Sequence, residues 1–433
     1  MVSIKQPPGH INFPHILQVV IHSRNRFAWQ VSEGSNIKKI LRLFWKLLSA
    51  VYQVREVGMQ RERERDRERE RERPRDESVD LAKGIGILFV IGGHCGYTPV
   101  LGIQPYSFHM PLFYFIAGFF LHFSEPPMVF LGKKVKLLLL PYFIYNVFFG
   151  VVTYLLQYIK IPWGHLSFFD VLNFHNLFIE PFFSGHQYQI SCPLWFVPSL
   201  FLVMLFFSIT RNIISFFYET KLRRTLLVFL LVILYYINIY GYNYDENMYM
   251  AVLSRTLVGY SFCILGNIFY KYYRNINTLT VFIGGVFLYG YLSMKVGVYG
   301  YSTLFNQYGN GDGKIISFFL TLAGVLMVTM FSRMLVHKNI FFNKEGFIWL
   351  GKNSFHIMAI HLSAFLILNI CIAAFFPDKH VADITNIYFR YPNIDWIYFF
   401  FSTWFCIAVI KKVQFIKNYW GELLQKRGCH SSS

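Results

Sequence analysis

Cysteine is scarce in this sequence, and the few cysteines show no metal-binding or disulfide pattern. Six are spread along 433 residues, and the first five fall within or beside apolar runs: Cys95, Cys192, Cys263, Cys371, Cys406 and Cys429. Zinc sites and disulfide-stabilised domains use closely paired cysteines at regular spacings. The sequence therefore predicts neither a metal site nor a disulfide framework.

Acidic residues are also few, with 23 Asp and Glu against 41 Lys and Arg. Beyond Asp80 the acids lie almost entirely in predicted loops: Glu125, Asp170, Glu180, Asp245, Glu246, Asp312, Glu345 and Asp378. Ion-coupled transporters usually keep carboxylates deep in the membrane. A transporter or flippase for a glycan or small solute is thus an alternative function that the acid distribution disfavours.

Apolar residues are abundant. Hydrophobic residues make up 55% of the chain, aromatic residues 20%, and the mean hydropathy is +0.39. These values are typical of polytopic membrane proteins, in which about 20 residues form one helical crossing. We predict an all-α integral membrane bundle of about ten transmembrane helices at residues 81–98, 107–124, 137–158, 194–217, 224–241, 251–270, 278–295, 314–332, 355–376 and 394–415.

Every second predicted loop is rich in basic residues, as expected for a chain that crosses a membrane repeatedly. Connections assigned to the inside are rich in Lys and Arg, and those assigned to the outside are poor in them. Cytoplasmic loops carry this excess, so both termini are expected in the cytoplasm. Topology therefore explains the net charge of +18 better than nucleic-acid binding, for which no basic soluble domain is present.

The chain divides into three parts. Residues 1–77 form an extension with an amphipathic segment at 37–54, which predicts an interfacial helix. The run RERERDRERERER at 61–73 predicts a solvated helix or disordered linker. An AG dinucleotide repeat encodes such alternation, so we expect a phase-variable gene with Met59 as an alternative start. The transmembrane domain follows at 78–416, with a cytoplasmic tail at 417–433.

Ionisable residues in the first two apolar segments indicate a functional site within the membrane. Lys83 and His94 are eleven residues apart, so on a helix they share a face about 16 Å apart. Asp80 lies near the same face and is expected to pair with Lys83. His94 and His109 are expected at one depth, where a neutral imidazole can accept a proton. For both histidines, simple bonding to a neighbouring helix remains the alternative.

Several motifs in this order along residues 78–415 resemble one known family. They read DLAKGIGILFVIGGHC, YSFHMPLFYFIAGFF, KKVKLLLLPYF, PLWFVPSLF and LGKNSFHIMAIH. The sequence is similar to the integral-membrane acyltransferase family 3, particularly its fucose 4-O-acetylase-like sugar O-acetyltransferases. The resemblance implies a ten-helix enzyme of the bacterial cytoplasmic (inner) membrane. Such an enzyme moves an acyl group, usually acetyl, from cytoplasmic acetyl-CoA to a hydroxyl of a cell-surface sugar.

The same resemblance implies partners and residue roles. The partners are acyl-CoA as donor substrate, a polysaccharide such as lipopolysaccharide O-antigen or capsule, or a lipid-linked sugar, and membrane lipid; no bound cofactor is implied. A basic residue and a glycine that precede the essential histidine correspond to Lys83, Gly84 and His94. Many relatives have arginine at the position of Lys83, and lysine lacks the bidentate fork for phosphate.

Three lysines at the inner face could bind the phosphates of CoA: Lys133, Lys134 and Lys136. Their alternative explanation is topology alone. The thioester would then reach His94, which either deprotonates the sugar hydroxyl or is itself acylated, with His109 assisting.

Further candidates for substrate contact lie in later segments. Trp195 could stack on a sugar ring, or belong to the aromatic belt at the interface. Asn353 and His361 are expected to line the cavity. We leave His356 out because it lies five residues before His361, on another helix face.

Overall fold

The computed structural model describes most of the chain after the N-terminal extension. The described residues are 75–100, 102–156, 160–161, 164–165, 172–185, 188–241, 248–296, 301–302, 307–308, 313–338, 344–376 and 389–430. The predicted interfacial helix at 37–54 and the Arg/Glu run at 61–73 lie outside them.

Helices account for nearly all of the described structure. They are α1 (Glu77–Cys95), α2 (His109–Gly118), α3 (Pro127–Lys134), α4 (Leu140–Leu156), α5 (Phe174–Phe178), α6 (Phe196–Tyr218), α7 (Lys221–Gly241), α8 (Ala251–Tyr272), α9 (Thr278–Val296), α10 (Gly313–Lys338), α11 (Lys344–Lys352), α12 (Ser354–Phe375) and α13 (Asp395–His430). A π-helical turn at Val135–Leu139 joins α3 to α4. Short 3₁₀ turns lie at Pro105–Ser107, Glu180–Phe182, Gln189–Trp195 and Met248–Met250.

Two small antiparallel hairpins are the β-structure of the described residues. In the first, β1 (Lys160–Ile161) pairs with β2 (Gly164–His165). In the second, β3 (Tyr301–Ser302) pairs with β4 (Gln307–Tyr308), and β3 lies against the Pro105–Ser107 turn. Each hairpin sits in a connection between helices, so neither changes the helical class of the fold.

Nine helices of the described residues are long and apolar enough to cross a membrane, counting α3–α4 as one and the turn before α6 with that helix. The predicted all-α membrane bundle is therefore confirmed. The spans built on α1, α6, α8, α10 and α12 are mostly buried, whereas only about a quarter of each of α3–α4, α7, α9 and α13 is buried. Apolar side chains on the outer helices match a lipid environment, in which helices satisfy their own backbone hydrogen bonds.

The second predicted segment is shorter than the sequence suggested. Instead of a span over 107–124, α2 covers ten residues and ends at Gly118. The amide of Asn267 on α8 donates hydrogen bonds to the carbonyl oxygens of Gly118 (2.9 Å) and Leu121 (3.1 Å). Because these carbonyls have side-chain hydrogen-bond partners, the helix can end at Gly118.

Glycines set the closest helix crossings. A Cβ atom at Gly351 of α11 would collide with the backbone carbonyl of Asp80 on α1, and one at Gly84 would collide with that of Phe347. Likewise, Gly118 of α2 and Gly266 of α8 each face the other helix's backbone. Small residues permit this backbone approach in membranes, and here they lock α1 and α2 into the bundle.

Candidate active site

The C-terminal end of α1 presents His94. The helix stops at Cys95 because Gly96 adopts the left-handed conformation (φ 76°), and its N–H caps the carbonyl of Gly92. His94 is half-buried, so part of its surface remains accessible. The connection that follows joins α1 to α2, which begins at His109, so His109 lies at the same end of the bundle as His94.

Three histidines and a tyrosine form a continuous cluster at this end. The rings of His94 and His361 have centroids 5.2 Å apart. Tyr106 lies 6.1 Å from His94 and 5.2 Å from His109, again between centroids, and is in a T-shaped arrangement with each ring. A Cβ atom at Gly93 would come within 3.2 Å of the Tyr106 ring, so this glycine leaves room for the tyrosine beside His94.

Backbone carbonyls fix the protons of the two flanking histidines. Nδ1 of His361 donates to the carbonyls of Met358 (3.0 Å) and Ile357 (3.1 Å), and Nδ1 of His109 donates to that of Pro105 (2.5 Å). A carbonyl only accepts, so in each neutral ring Nε2 is the acceptor. Nε2 of His361 is buried and has no hydrogen-bond partner among the described residues. A proton acceptor thus stands beside His94.

Arg390 secures His94 from a distant part of the sequence. Its guanidinium donates to the carbonyl oxygen of His94 (3.1 Å) and lies 4.0 Å from the centroid of the Phe365 ring. Partial burial lowers the pKa of Arg390 to about 10, which keeps the group charged at neutral pH. The last carbonyl groups of a helix have no N–H partner within that helix. The bond from Arg390 therefore satisfies the His94 carbonyl and holds the end of α1 in place.

Sequence reasoning missed Tyr106 and Arg390. Tyr106 stands three residues before His109 inside a motif already singled out, and its position next to the first apolar segment was a usable signal. Arg390 lies 296 residues from His94. It stands in a connection predicted to lie outside, where bases are rare, and that was the signal in the sequence.

The other end of α1 holds an ion-pair cluster. Asp80 is 2% exposed, and its carboxylate contacts Lys83 Nζ (2.7 Å) and Arg75 Nε (2.5 Å). The expected pairing of Asp80 with Lys83 is therefore present, and Arg75 joins it. Two cations compensate the buried acid. Since α1 is continuous, this cluster lies about 16 Å from His94.

The three candidate lysines lie at the Asp80 end of the bundle. Lys133 pairs with Glu125, and Lys134 lies 5.1 Å from the centroid of the Phe130 ring. Lys136 is exposed within the π-helical turn. Phosphate binding by this group stays a prediction.

The last two candidate residues are Asn353, which lies away from the histidine cluster, and Trp195, which is covered by another side chain. Asn353 lies at the start of α12, where its amide donates to Trp349 (2.8 Å) and accepts from Gln414 (3.0 Å). Gly351 next to it contacts Asp80, so Asn353 belongs to that end of the bundle. Trp195 is 5% exposed, and the Arg255 guanidinium lies 4.7 Å from its ring centroid. Sugar stacking by Trp195 stays a prediction.

The histidine cluster suits proton transfer in a site with limited solvent access. Among the described residues, no group of three or more His, Cys, Asp or Glu is placed to hold a metal ion. Adjacent imidazole rings can perform acid–base or nucleophilic catalysis. The charged residues of the Asp80 end are separate from it along α1.

Comparison with known proteins identifies the family. Residues 76–411 match the family model Acyl_transf_3, described as an acyltransferase domain. A search of curated proteins found no match. The family match covers well over half of the chain and includes α1 with both of its charged ends. The chain therefore belongs to acyltransferase family 3 and is a multi-pass membrane acyltransferase.

Proposed function

We propose that the protein transfers an acyl group, most simply acetyl, from cytoplasmic acyl-CoA to a hydroxyl of a cell-surface polysaccharide sugar. Lipopolysaccharide O-antigen and capsule are the acceptors considered, and the enzyme would reside in the bacterial inner membrane as a fucose 4-O-acetylase-like O-acetyltransferase. The observation that carries the proposal is the contact of His94 with His361 and Tyr106, at the opposite end of α1 from its ion-pair cluster.

The two ends of α1 suggest where each substrate binds. CoA is polyanionic and cannot enter hydrocarbon, so the basic end with Lys83, Lys133, Lys134 and Lys136 supports binding of its phosphates. The acyl thioester then extends along the bundle toward His94. The acceptor sugar approaches from the far side, where His94 remains partly accessible.

The reaction needs a base near the thioester carbonyl. In the direct route, His94 takes the proton of the sugar hydroxyl while the oxygen bonds to the acyl carbon. The C–S bond breaks, and the proton held by His94 passes to the CoA sulfur. In the two-step route, His94 bonds to the acyl carbon, the C–S bond breaks and the imidazole proton passes to the CoA sulfur; the sugar hydroxyl then displaces the imidazole and returns a proton to it. Both routes give a sugar ester and free CoA.

Isotope transfer tests the proposal. Membrane vesicles from cells that carry the gene, and from a matched deletion strain, receive acetyl-CoA labelled in the acetyl group. We expect label in the purified surface glycan only with the intact gene, in an alkali-labile ester. Equal labelling in both strains would refute acyl transfer by this protein. Loss of glycan export with unchanged acetyl content per sugar would instead support the transporter alternative.

His361 is expected to assist His94 during the transfer, because its Nε2 is a proton acceptor beside the His94 ring. Replacing His361 with Gln keeps a polar atom near that position, whereas Leu removes it. We expect His361→Leu to lower kcat about 100-fold and His361→Gln to lower it by less than tenfold, with the KM for acetyl-CoA unchanged in both. Steady-state transfer assays measure the effect. Equal losses in the two variants, or a change confined to KM, would contradict it.

The Arg/Glu run supports a separate proposal about expression. Strict alternation at 61–73 suits a dinucleotide repeat that gains or loses units, which would switch the gene by frameshift. Sequencing the gene decides this, because mixed codons across the run would rule out such a repeat.

A further inference from the structure

A cleft lies outside the histidine cluster, between the connection from α4 to α6 and the Met248–Met250 turn before α8. It has a volume of about 670 Å³ and is lined by His175, Asn176, Ile179, Glu180, Phe183 and Tyr249. This volume falls within the usual range for small-molecule sites. None of these residues takes part in the acyl-transfer chemistry described above.

The cleft opens at the same end of the bundle as His94. The chain runs along α1, returns through α2 and crosses again through α3–α4, so α1 and α4 end on the same side. Contacts agree with this path. A Cβ atom at Gly185 would lie 3.3 Å from Cβ of Trp195, and the Gln189–Trp195 turn packs against α12, which carries His361.

Hydrogen bonds hold the walls of the cleft in place. The amide of Asn146 on α4 donates to the carbonyl of Leu177 (2.7 Å), and the side chain of Asn173 accepts from the N–H of Asn176 (2.7 Å). On the other side, the N–H of Val252 donates to the carbonyl of Phe183 (3.3 Å). The cleft is therefore preformed.

The lining combines one acid with aromatic rings. Only 14% of the Glu180 side chain is exposed, and its carboxylate lies 3.5 Å from Nδ1 of His175. Phe183 and Tyr249 are 52% and 63% exposed and offer ring surface at the rim. An ionised carboxylate accepts hydrogen bonds from hydroxyl groups, and ring faces cover the apolar C–H face of a pyranose. Anionic head groups are disfavoured next to Glu180.

We propose that this cleft binds a neutral hexose unit of the acceptor glycan, next to the unit whose hydroxyl is acylated. The proposal rests on the proposed function, because the glycan must reach the His94 end of the bundle. Glu180 and Asn176 bind the sugar hydroxyls, and Phe183 and Tyr249 cover its apolar face. The cleft thereby adds affinity for a polymer over a free monosaccharide.

Saturation-transfer NMR on the purified full-length protein in lipid nanodiscs tests the cleft without any acyl donor. The probes are the methyl glycosides of glucose, galactose, mannose and rhamnose, with methyl glucuronide as an anionic probe. We expect saturation transfer to at least one neutral probe and weaker binding of the glucuronide. Glu180→Gln should weaken binding of the neutral probe tenfold or more, since a hydrogen bond to a charged group contributes at least that factor. Tyr249→Leu should also weaken it, because the ring that covers the apolar face of the sugar is removed.

Controls separate this inference from the proposed function. Glu219→Gln changes an exposed acid at the opposite end of α6 and should bind like the parent. Absence of binding by every neutral probe, or unchanged binding in Glu180→Gln, would overturn the proposal. Saturation transfer to lipid alone would overturn it in favour of a lipid site. None of these results would remove the acyl-transfer function.

Discussion

Replacing His94 with Ala should lower the proposed O-acetylation of the surface glycan at least 100-fold while leaving the folded protein intact. His94 contacts both His361 and Tyr106, and it is the accessible imidazole at the end of α1. A positioned general base contributes about 10²- to 10⁴-fold to a rate, and a nucleophile in a two-step route contributes as much or more. Either route therefore fails without this ring.

NMR of purified polysaccharide from cells that express each variant measures the acetyl content per sugar. His356→Ala is the matched control, because His356 lies on the same helix as His361 but is exposed and hydrogen-bonded to Tyr145 (2.8 Å). It should retain the parental acetyl signal. A normal acetyl signal from well-expressed His94→Ala would defeat the catalytic assignment.

Gly351→Ala should cost about 3 kcal/mol or more of stability, although it adds a single methyl group. The new Cβ would collide with the backbone carbonyl of Asp80, which cannot rotate away as a side chain can. Separating α11 from α1 would also disturb the ion pairs of Asp80 with Lys83 and Arg75. Overpacking against rigid backbone falls at the upper end of measured costs.

Gly290→Ala on α9 is the control for helix propensity. No atom lies within 4 Å of a Cβ built at Gly290, so alanine there should be neutral or slightly stabilising. Thermal unfolding in detergent, with the monodisperse fraction in size-exclusion chromatography, compares the two variants. A Gly351→Ala protein as stable as the parent would show that α1 and α11 can move apart freely.

The membrane segments were predictable because length and hydropathy alone determine them. The limits of α8, predicted at 251–270, match the helix at Ala251–Tyr272 closely. The early end of α2 was not predictable, because it depends on Asn267, whose amide reaches Gly118 from another helix. The π-helical turn at Val135–Leu139 likewise leaves no mark in the apolar pattern.

The candidate site was predictable where it follows from helical phase. Spacing along one helix correctly paired Asp80 with Lys83. The position of Arg390 at the carbonyl of His94 depends on how the last helix packs, which no local pattern encodes. The covering of Trp195 by Arg255 is also a tertiary contact between distant segments. Roles assigned to the individual site residues stay predictions until variants are measured.

The close contact of α1 with α11 also has a mechanical consequence. Gly84 touches the backbone of α11 near one end of α1, and His94 lies ten residues further along, about 15 Å away. If α1 pivots at this contact, a tilt of about 5° displaces His94 by about 1 Å. A misplacement of that size can change a reaction rate about 100-fold. Packing at the Asp80 end of α1 would then control the geometry of the histidine cluster at the other end.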